Sequence, residues 1–136
     1  MILALKLALV IFGVVEIVFG ILFSAFPENT ASMAGVNEVS GYLKYTMASL
    51  GITLVIASVF IIMAAWNPLR HINWVKFTIV WCIFGALAGL ASVIAGYVEF
   101  SHAGMQIIID AAFAVIFLAL YPYRMARTAG PPKITT

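Results

Sequence analysis

The stretch LALKLALVIFGVVEIVFGILFSAF, residues Leu3–Phe26, is an apolar run that carries Glu16 near its middle. A helix needs roughly 20 predominantly apolar residues to cross the hydrocarbon core of a bilayer, so this run is long enough. A carboxylate at that depth has no water to solvate it, and its helix must turn it toward other protein or a wet cavity. The stretch therefore predicts a membrane helix with one face in a protein interior.

Composition agrees with a membrane protein. The chain has 136 residues, of which 65% are hydrophobic and 9% charged, and its mean hydropathy is +1.15. About a quarter of the residues of a soluble domain are charged, so most of this surface must face lipid. Cys82 is the single cysteine, which excludes an internal disulfide, a Cys-x-x-Cys redox pair and a thiolate metal cluster.

Three further apolar runs follow, separated by polar breaks at Pro27–Thr30, Asn67–Arg70 and Glu99–His102. We predict an all-α integral membrane protein, an antiparallel four-helix bundle of up-down-up-down order in one domain, residues 1–123. The helices are predicted near 3–26, 42–66, 74–98 and 104–121, with a short interfacial helix through Met33–Val39. Residues 124–136, which contain Gly130-Pro131-Pro132, are expected to form a mobile cytoplasmic tail.

The basic residues predict the orientation. If the four helices alternate in direction, one side of the membrane carries nearly all of them: Lys6, Arg70, Lys76, Arg124, Arg127 and Lys133. Lys44 falls on the other side, with Glu28, Glu38 and Glu99. The positive-inside rule then places both termini in the cytoplasm of a multi-pass plasma (inner) membrane protein.

Each predicted helix has one face of small or polar residues, which is where helices associate inside lipid. The glycines expected to pack against a neighbouring helix are Gly13, Gly20, Gly85, Gly89 and Gly96. On the second helix the corresponding face carries Ser49 and Thr53, and on the fourth it carries Gln106 and Asp110. The Gly85-x-x-x-Gly89 pair fits packing inside the bundle as well as homodimerisation.

Glu16 and Asp110 are the two acids well inside apolar segments, and both lie on the small or polar face of their helix. We therefore expect both to point into the bundle. Because two neighbouring carboxylates repel each other, one of them should hold a proton at neutral pH unless Lys44 reaches the pair. We predict that they belong to a pocket that opens away from the cytoplasm. The ligand- or proton-binding residues expected to line this pocket are Glu16, Asp110, Gln106, Ser49, Thr53, Ser92 and Lys44. The alternative is that each acid only hydrogen-bonds a polar side chain across a helix interface.

Other chemistry lacks its signature in the sequence. His71 and His102 fall on opposite sides of the membrane, which does not suit a haem held between helices. No Glu-x-x-His pair, phosphate-binding loop or nucleic-acid-binding pattern occurs, so we predict no metal, no cofactor and no nucleic-acid partner. The expected partners are the lipid bilayer and either another membrane protein or further copies of this chain.

The order of features resembles the DoxX-like group of small four-helix membrane proteins. The likeness lies in the spaced Gly13 and Gly20, the Phe26-Pro27-Glu28 ending, the polar stretch through Glu38, and Arg70 between helices two and three. Members of that group are associated with membrane redox complexes or have no known activity. The resemblance implies an accessory subunit of a quinone-linked or oxidative-stress system and assigns no residue a role.

A second resemblance is to small multidrug transporters, which place one glutamate midway along the first of four short helices, as Val14-Val15-Glu16 does here. Those transporters are shorter and have minimal loops, whereas this chain has a long first loop, a strong charge bias and a second acid, Asp110. The leading expectation is thus a small non-enzymatic accessory subunit with an outward-facing polar pocket. The alternative is a proton-coupled or cation-binding transporter that uses Glu16 and Asp110, and an enzyme acting on a lipid or quinone ranks third.

Overall fold

A computed structural model describes residues 1–36 and 38–123 of the chain. Within that part, the protein is all-helical and has five helices. They are α1 (Ile2–Ala25), α2 (Pro27–Met33), α3 (Gly41–Trp66), α4 (Ile72–Ile94) and α5 (Phe100–Leu120). The predicted tail, residues 124–136, lies outside the described residues.

The long helices α1, α3, α4 and α5 are each long and apolar enough to cross a membrane. Most of each helix is exposed on the outside of the bundle, and that outer surface is rich in leucine, isoleucine, valine and phenylalanine. A soluble protein would bury such surfaces, so the four helices indicate a multi-pass membrane protein.

The helices pack in a ring in which α1 contacts α3 and α5, and α4 contacts the same two neighbours. The α1–α3 and α4–α5 pairs are the closely packed ones, and both are antiparallel. Along α1–α3, Gly13 lies against Ile62 while Gly20 lies against Gly51. This order runs in opposite directions along the two helices, as the predicted bundle requires.

The hydrophobic core fills the half of the bundle next to the α3–α4 turn. Phe12 of α1 is fully buried and its ring lies 5.0 Å from that of Phe113 and 5.7 Å from that of Phe117, both on α5. Val75 of α4 is also fully buried in this cluster. The core ends near the middle of the bundle, where the two acids Glu16 and Asp110 lie.

The first connection differs from the prediction. The short helix is α2, which begins at Pro27, and it ends at Met33, where the predicted helix was to begin. Pro27 fits the first turn of a helix because its missing N–H has no partner there in any case, and Glu28 suits the positive end of the helix dipole. Gly35, with φ +81°, then reverses the chain.

The helix α4 also ends earlier than predicted, at Ile94 instead of Val98. Gly96 has φ +73°, a left-handed conformation that favours glycine. Its N–H donates to the Val93 carbonyl over 3.0 Å, and the Tyr97 N–H donates to the Ser92 carbonyl over 3.0 Å. This pair of bonds is a Schellman motif, and it stops the helix although the following residues are apolar.

Candidate functional site

The two acids inside the apolar segments are both buried, as the sequence predicts. Glu16 of α1 has 4% of its surface exposed and Asp110 of α5 has 3%. The helices that carry them, α1 and α5, contact each other. The bundle thus holds two acidic groups near its centre, where α1 and α5 meet.

Helix α5 positions one of the two acids with a side-chain hydrogen bond. The Gln106 amide Nε2 donates to Asp110 Oδ2 over 3.2 Å, one helical turn apart. The other carboxyl oxygen, Asp110 Oδ1, is buried and has no hydrogen-bond partner among the described residues. A buried acceptor without a partner costs about 1–3 kcal/mol, so Asp110 is held in an unfavourable environment.

Helix α4 supplies the wall beside Asp110. A Cβ atom at Gly85 would lie 2.5 Å from Asp110 Oδ2, so only glycine leaves room for the carboxyl at this position. One turn further along, a Cβ at Gly89 would lie 2.6 Å from the Ile107 side chain. These two glycines therefore let α4 and α5 approach closely on both sides of the acid.

Cys82 lies on the same helix and is fully buried, but it belongs to the hydrophobic core cluster with Phe12, Val75 and Phe117. A free thiol among apolar side chains acts as a small packing residue.

Lys44 was placed in the predicted set as a residue that could pair with the acids, and the structure pairs it elsewhere. Its ammonium forms an ion pair with Glu28 of α2, outside the bundle. That pair is the only salt bridge among residues 1–36 and 38–123, so no described basic side chain neutralises either buried acid. His102, near the same end, instead places its Nδ1 3.1 Å from the Met33 carbonyl oxygen.

The three predicted hydroxyl residues are not brought to the acids either. Ser49 and Thr53 are exposed on the outer side of α3, and the Thr53 hydroxyl donates to the Ser49 carbonyl of its own helix over 2.9 Å. Ser92 is half-buried and donates to the Ala88 carbonyl over 2.9 Å. A hydroxyl that is satisfied by its own helix can face lipid at little cost, so these residues gave a misleading signal.

The predicted packing glycines divide in the same way. Gly13, Gly20, Gly85 and Gly89 each face a neighbouring helix so closely that an added Cβ would overlap it. Gly96 was wrongly placed in this set, since it lies beyond the end of α4 and has nothing within 4 Å. The close approach missed by the prediction is at Gly51, against Gly20 and Ser24.

The site that remains is smaller than the predicted one: Glu16, Asp110 and Gln106, with Gly85 against Asp110. The two grooves on the bundle surface are lined by other residues and do not reach the acids. No group of three or more side chains suited to holding a metal occurs in the part of the chain that the structure describes.

No family model, curated protein or solved structure matches this chain. The DoxX-like resemblance therefore stays a prediction, and the function is argued from the site alone.

Proposed function

We propose that this chain is a small, non-enzymatic accessory subunit of a larger membrane assembly, and that it carries one proton on the Glu16–Asp110 pair. The burial of both acids among packed helices is the observation that supports this proposal. Two charged carboxylates without a basic partner would be very unfavourable in this interior, whereas one proton held by the pair removes one of the two charges.

The orientation forms part of the proposal. The end of the bundle at the α3–α4 turn carries Lys6, Arg70 and Lys76, and the other end carries Lys44 with Glu28. Following the positive-inside rule, we assign the first end and both termini to the cytoplasm of a plasma-type membrane.

An accessory role accounts for the closed site better than transport does. A transporter must expose its binding groups to each side of the membrane in turn. Here both acids are at least nine-tenths buried, and the described surface grooves do not reach them. A buried acid pair of this kind can fix how α1, α4 and α5 pack and can make that packing sensitive to protonation.

The shared proton can be tested by infrared difference spectroscopy of the full chain in detergent. At neutral pH we expect the carbonyl band of a protonated carboxyl, and this band should disappear or shift in both Glu16→Gln and Asp110→Asn. Glu28→Gln is the matched control, because Glu28 is an exposed acid outside the bundle. The absence of a protonated-carboxyl band in the wild type at neutral pH would refute the shared proton.

The accessory role can be tested by co-purification in mild detergent. We expect the tagged chain to elute with other membrane proteins in an assembly much larger than one 14.7 kDa chain in its micelle. We expect Glu16→Gln to weaken this association while Glu28→Gln leaves it intact. A wild-type protein that elutes alone would contradict the accessory role.

The second candidate is a proton-coupled or cation-binding transporter. The observation that favours it is the partnerless Asp110 Oδ1, which offers a buried acceptor to a proton or cation. In proteoliposomes, a pH-driven flux that is lost in Glu16→Gln and Asp110→Asn but kept in Glu28→Gln would make transport the better account.

A further inference from the structure

A groove runs along the outer surface of the bundle between α3 and α4. Its volume is about 460 Å³, it is open on the side away from the bundle axis, and its walls are almost entirely apolar. The residues that form it include Thr53, Ala57 and Phe60 of α3 and Asn73, Trp74 and Phe77 of α4. Such a groove in the membrane-facing surface must be filled by an apolar group.

Aromatic rings form the wall of this groove near the α3–α4 turn. The Phe60 and Trp74 rings are stacked at 4.7 Å and are nearly parallel, with 3° between their planes. Phe77 packs edge-on against Trp74 at 5.4 Å. The Phe60–Trp74 stack joins α3 to α4, and its rings form part of the lining of the groove.

The groove spans part of one leaflet of a bilayer. Its lining on α3 runs from Thr53 to Phe60, which is ~10 Å at 1.5 Å per residue. Half of a hydrocarbon core is ~15 Å thick. The groove is therefore long enough for a segment of one acyl chain.

The end of the bundle nearest Asn73 is basic. Arg70 in the α3–α4 turn and Lys76 at the start of α4 are both exposed, and neither forms a salt bridge with a described residue. The exposed acids of residues 1–36 and 38–123 are Glu28, Glu38 and Glu99, and all belong to connections at the opposite end of the bundle. This end consequently attracts anions at the membrane surface.

We propose that the groove holds an acyl chain of an anionic phospholipid, whose headgroup phosphate is bound by Arg70 and Lys76. A basic cluster beside a cleft between membrane helices is suited to an anionic headgroup. A partner helix could use Thr53 and Ala57, which are small and one turn apart, but it fits less well because it would also have to pack over the Phe60 and Trp74 rings at the other end of the groove. The proposal goes beyond the accessory function and does not depend on the acid pair.

Native mass spectrometry of the full chain tests the headgroup contact. The protein in detergent is mixed with phosphatidylglycerol or with phosphatidylcholine of identical acyl chains, and the bound lipid is counted. We expect the anionic lipid to be preferred, and Arg70→Gln/Lys76→Gln to reduce that preference by roughly five-fold for each charge removed. Lys6→Gln is the matched control, since it removes a charge at the same end of the bundle but lies beside a different groove.

The acyl chain is tested with Ala57→Trp, which fills the groove from its exposed side, and with brominated phosphatidylglycerol, which quenches nearby tryptophan. We expect Ala57→Trp to lower lipid retention, and Trp74→Phe to remove much of the wild-type quenching. Folding of each variant is checked by its helical circular dichroism, and the surface variants Arg70→Gln/Lys76→Gln provide the test should Ala57→Trp not fold.

Three outcomes would overturn the proposal. The first is equal binding of the two lipids by the wild type. The second is an equal loss of preference in Lys6→Gln, which would show a general surface charge effect. The third is an Ala57→Trp variant that folds, keeps its lipid and changes its oligomeric state, which would assign the groove to a second copy of the chain.

Discussion

The crossing of α1 and α3 at Gly20 gives the sharpest test of the packing. In Gly20→Ala, the added Cβ would lie 2.7 Å from the Gly51 carbonyl oxygen, 2.7 Å from Val55 Cγ2 and 3.1 Å from the Val55 nitrogen. Two of these atoms belong to the backbone of α3, so the overlap cannot be relieved by turning a side chain. The two helices have to move apart.

The size of the effect follows from two opposing contributions. Overpacking a well-packed contact typically costs about 1–3 kcal/mol. Replacing glycine by alanine within a helix favours folding by up to about 1 kcal/mol through helix propensity. Because the clash is with backbone, we expect the first contribution to be the larger and the free energy of unfolding to fall by about 1–2 kcal/mol.

Two other glycines provide matched controls for the same substitution. Gly41→Ala places a methyl where nothing lies within 4 Å, so it should be neutral or slightly stabilising. Gly13→Ala meets Ile62 Cγ1 at 2.5 Å and Cδ1 at 3.1 Å, atoms of a side chain that can change rotamer, with the Ser58 carbonyl oxygen at 3.3 Å. We therefore expect Gly20→Ala to be the least stable variant and Gly13→Ala to be intermediate.

The measurement is reversible unfolding in mixed micelles with increasing sodium dodecyl sulfate, followed by the helical circular dichroism signal. Each variant is compared with the wild type at the same total detergent concentration. A Gly20→Ala protein as stable as Gly41→Ala would refute the close approach of α1 to α3 and with it the pairing of these helices.

Two further predictions concern the loops and the ion pair at the end of the bundle opposite the α3–α4 turn. Gly35→Ala and Gly96→Ala both force alanine into a left-handed conformation, which costs about 1–2 kcal/mol. The Cβ added at position 35 would also lie 2.9 Å from His102 Nε2, whereas the Cβ added at position 96 would have nothing within 4 Å. Gly35→Ala should therefore lower the thermal unfolding temperature more. Equal shifts would contradict the contact between Gly35 and the histidine ring. The Lys44 ammonium, through its hydrogen bond and charge, holds the pKa of the Glu28 carboxyl below its ordinary value of 4.5. The ion pair should therefore stabilise the fold slightly above pH 4.5 and lose this contribution as the pH falls through the lowered pKa. Carbon-detected NMR titration should show the Glu28 pKa return toward 4.5 in Lys44→Gln, and an unchanged pKa would argue against the pair.

The spans of the membrane helices could be predicted from sequence to within a few residues at most ends. Apolar runs and polar breaks suffice for this, because lipid requires long helices whose backbone groups are all satisfied. The prediction failed at the end of α4, where hydropathy alone read Tyr97 and Val98 as a continuation of the helix. There a left-handed Gly96 and two backbone hydrogen bonds stop the helix, and hydropathy contains no information about either.

The connection after α1 shows a related limit. A short helix was expected in this loop, but its place was wrong because small and polar residues occur throughout residues 27–40. Pro27 at the first helical position was the better signal, since proline fits the first turn of a helix and disrupts later turns.

The sequence by itself determined that Glu16 and Asp110 face the interior. A carboxylate cannot be satisfied within its own apolar helix, so exposure to lipid would be far more costly than burial beside other protein groups. The same reasoning does not apply to Ser49 and Thr53. A threonine hydroxyl can bond to a carbonyl one turn earlier, as Thr53 does, and then faces lipid without penalty.

The tertiary structure alone decided which helices touch, and thereby what the acids meet. The pairing of α4 with α5 sets Gly85 against Asp110, while Lys44 forms its ion pair with Glu28 outside the bundle. These contacts depend on how the surfaces of opposing helices fit together. That fit is decided only when all four helices are packed against one another. Hydropathy and residue spacing describe each helix separately. For that reason they predicted that the two acids are buried, but not which residues of the other helices lie beside them.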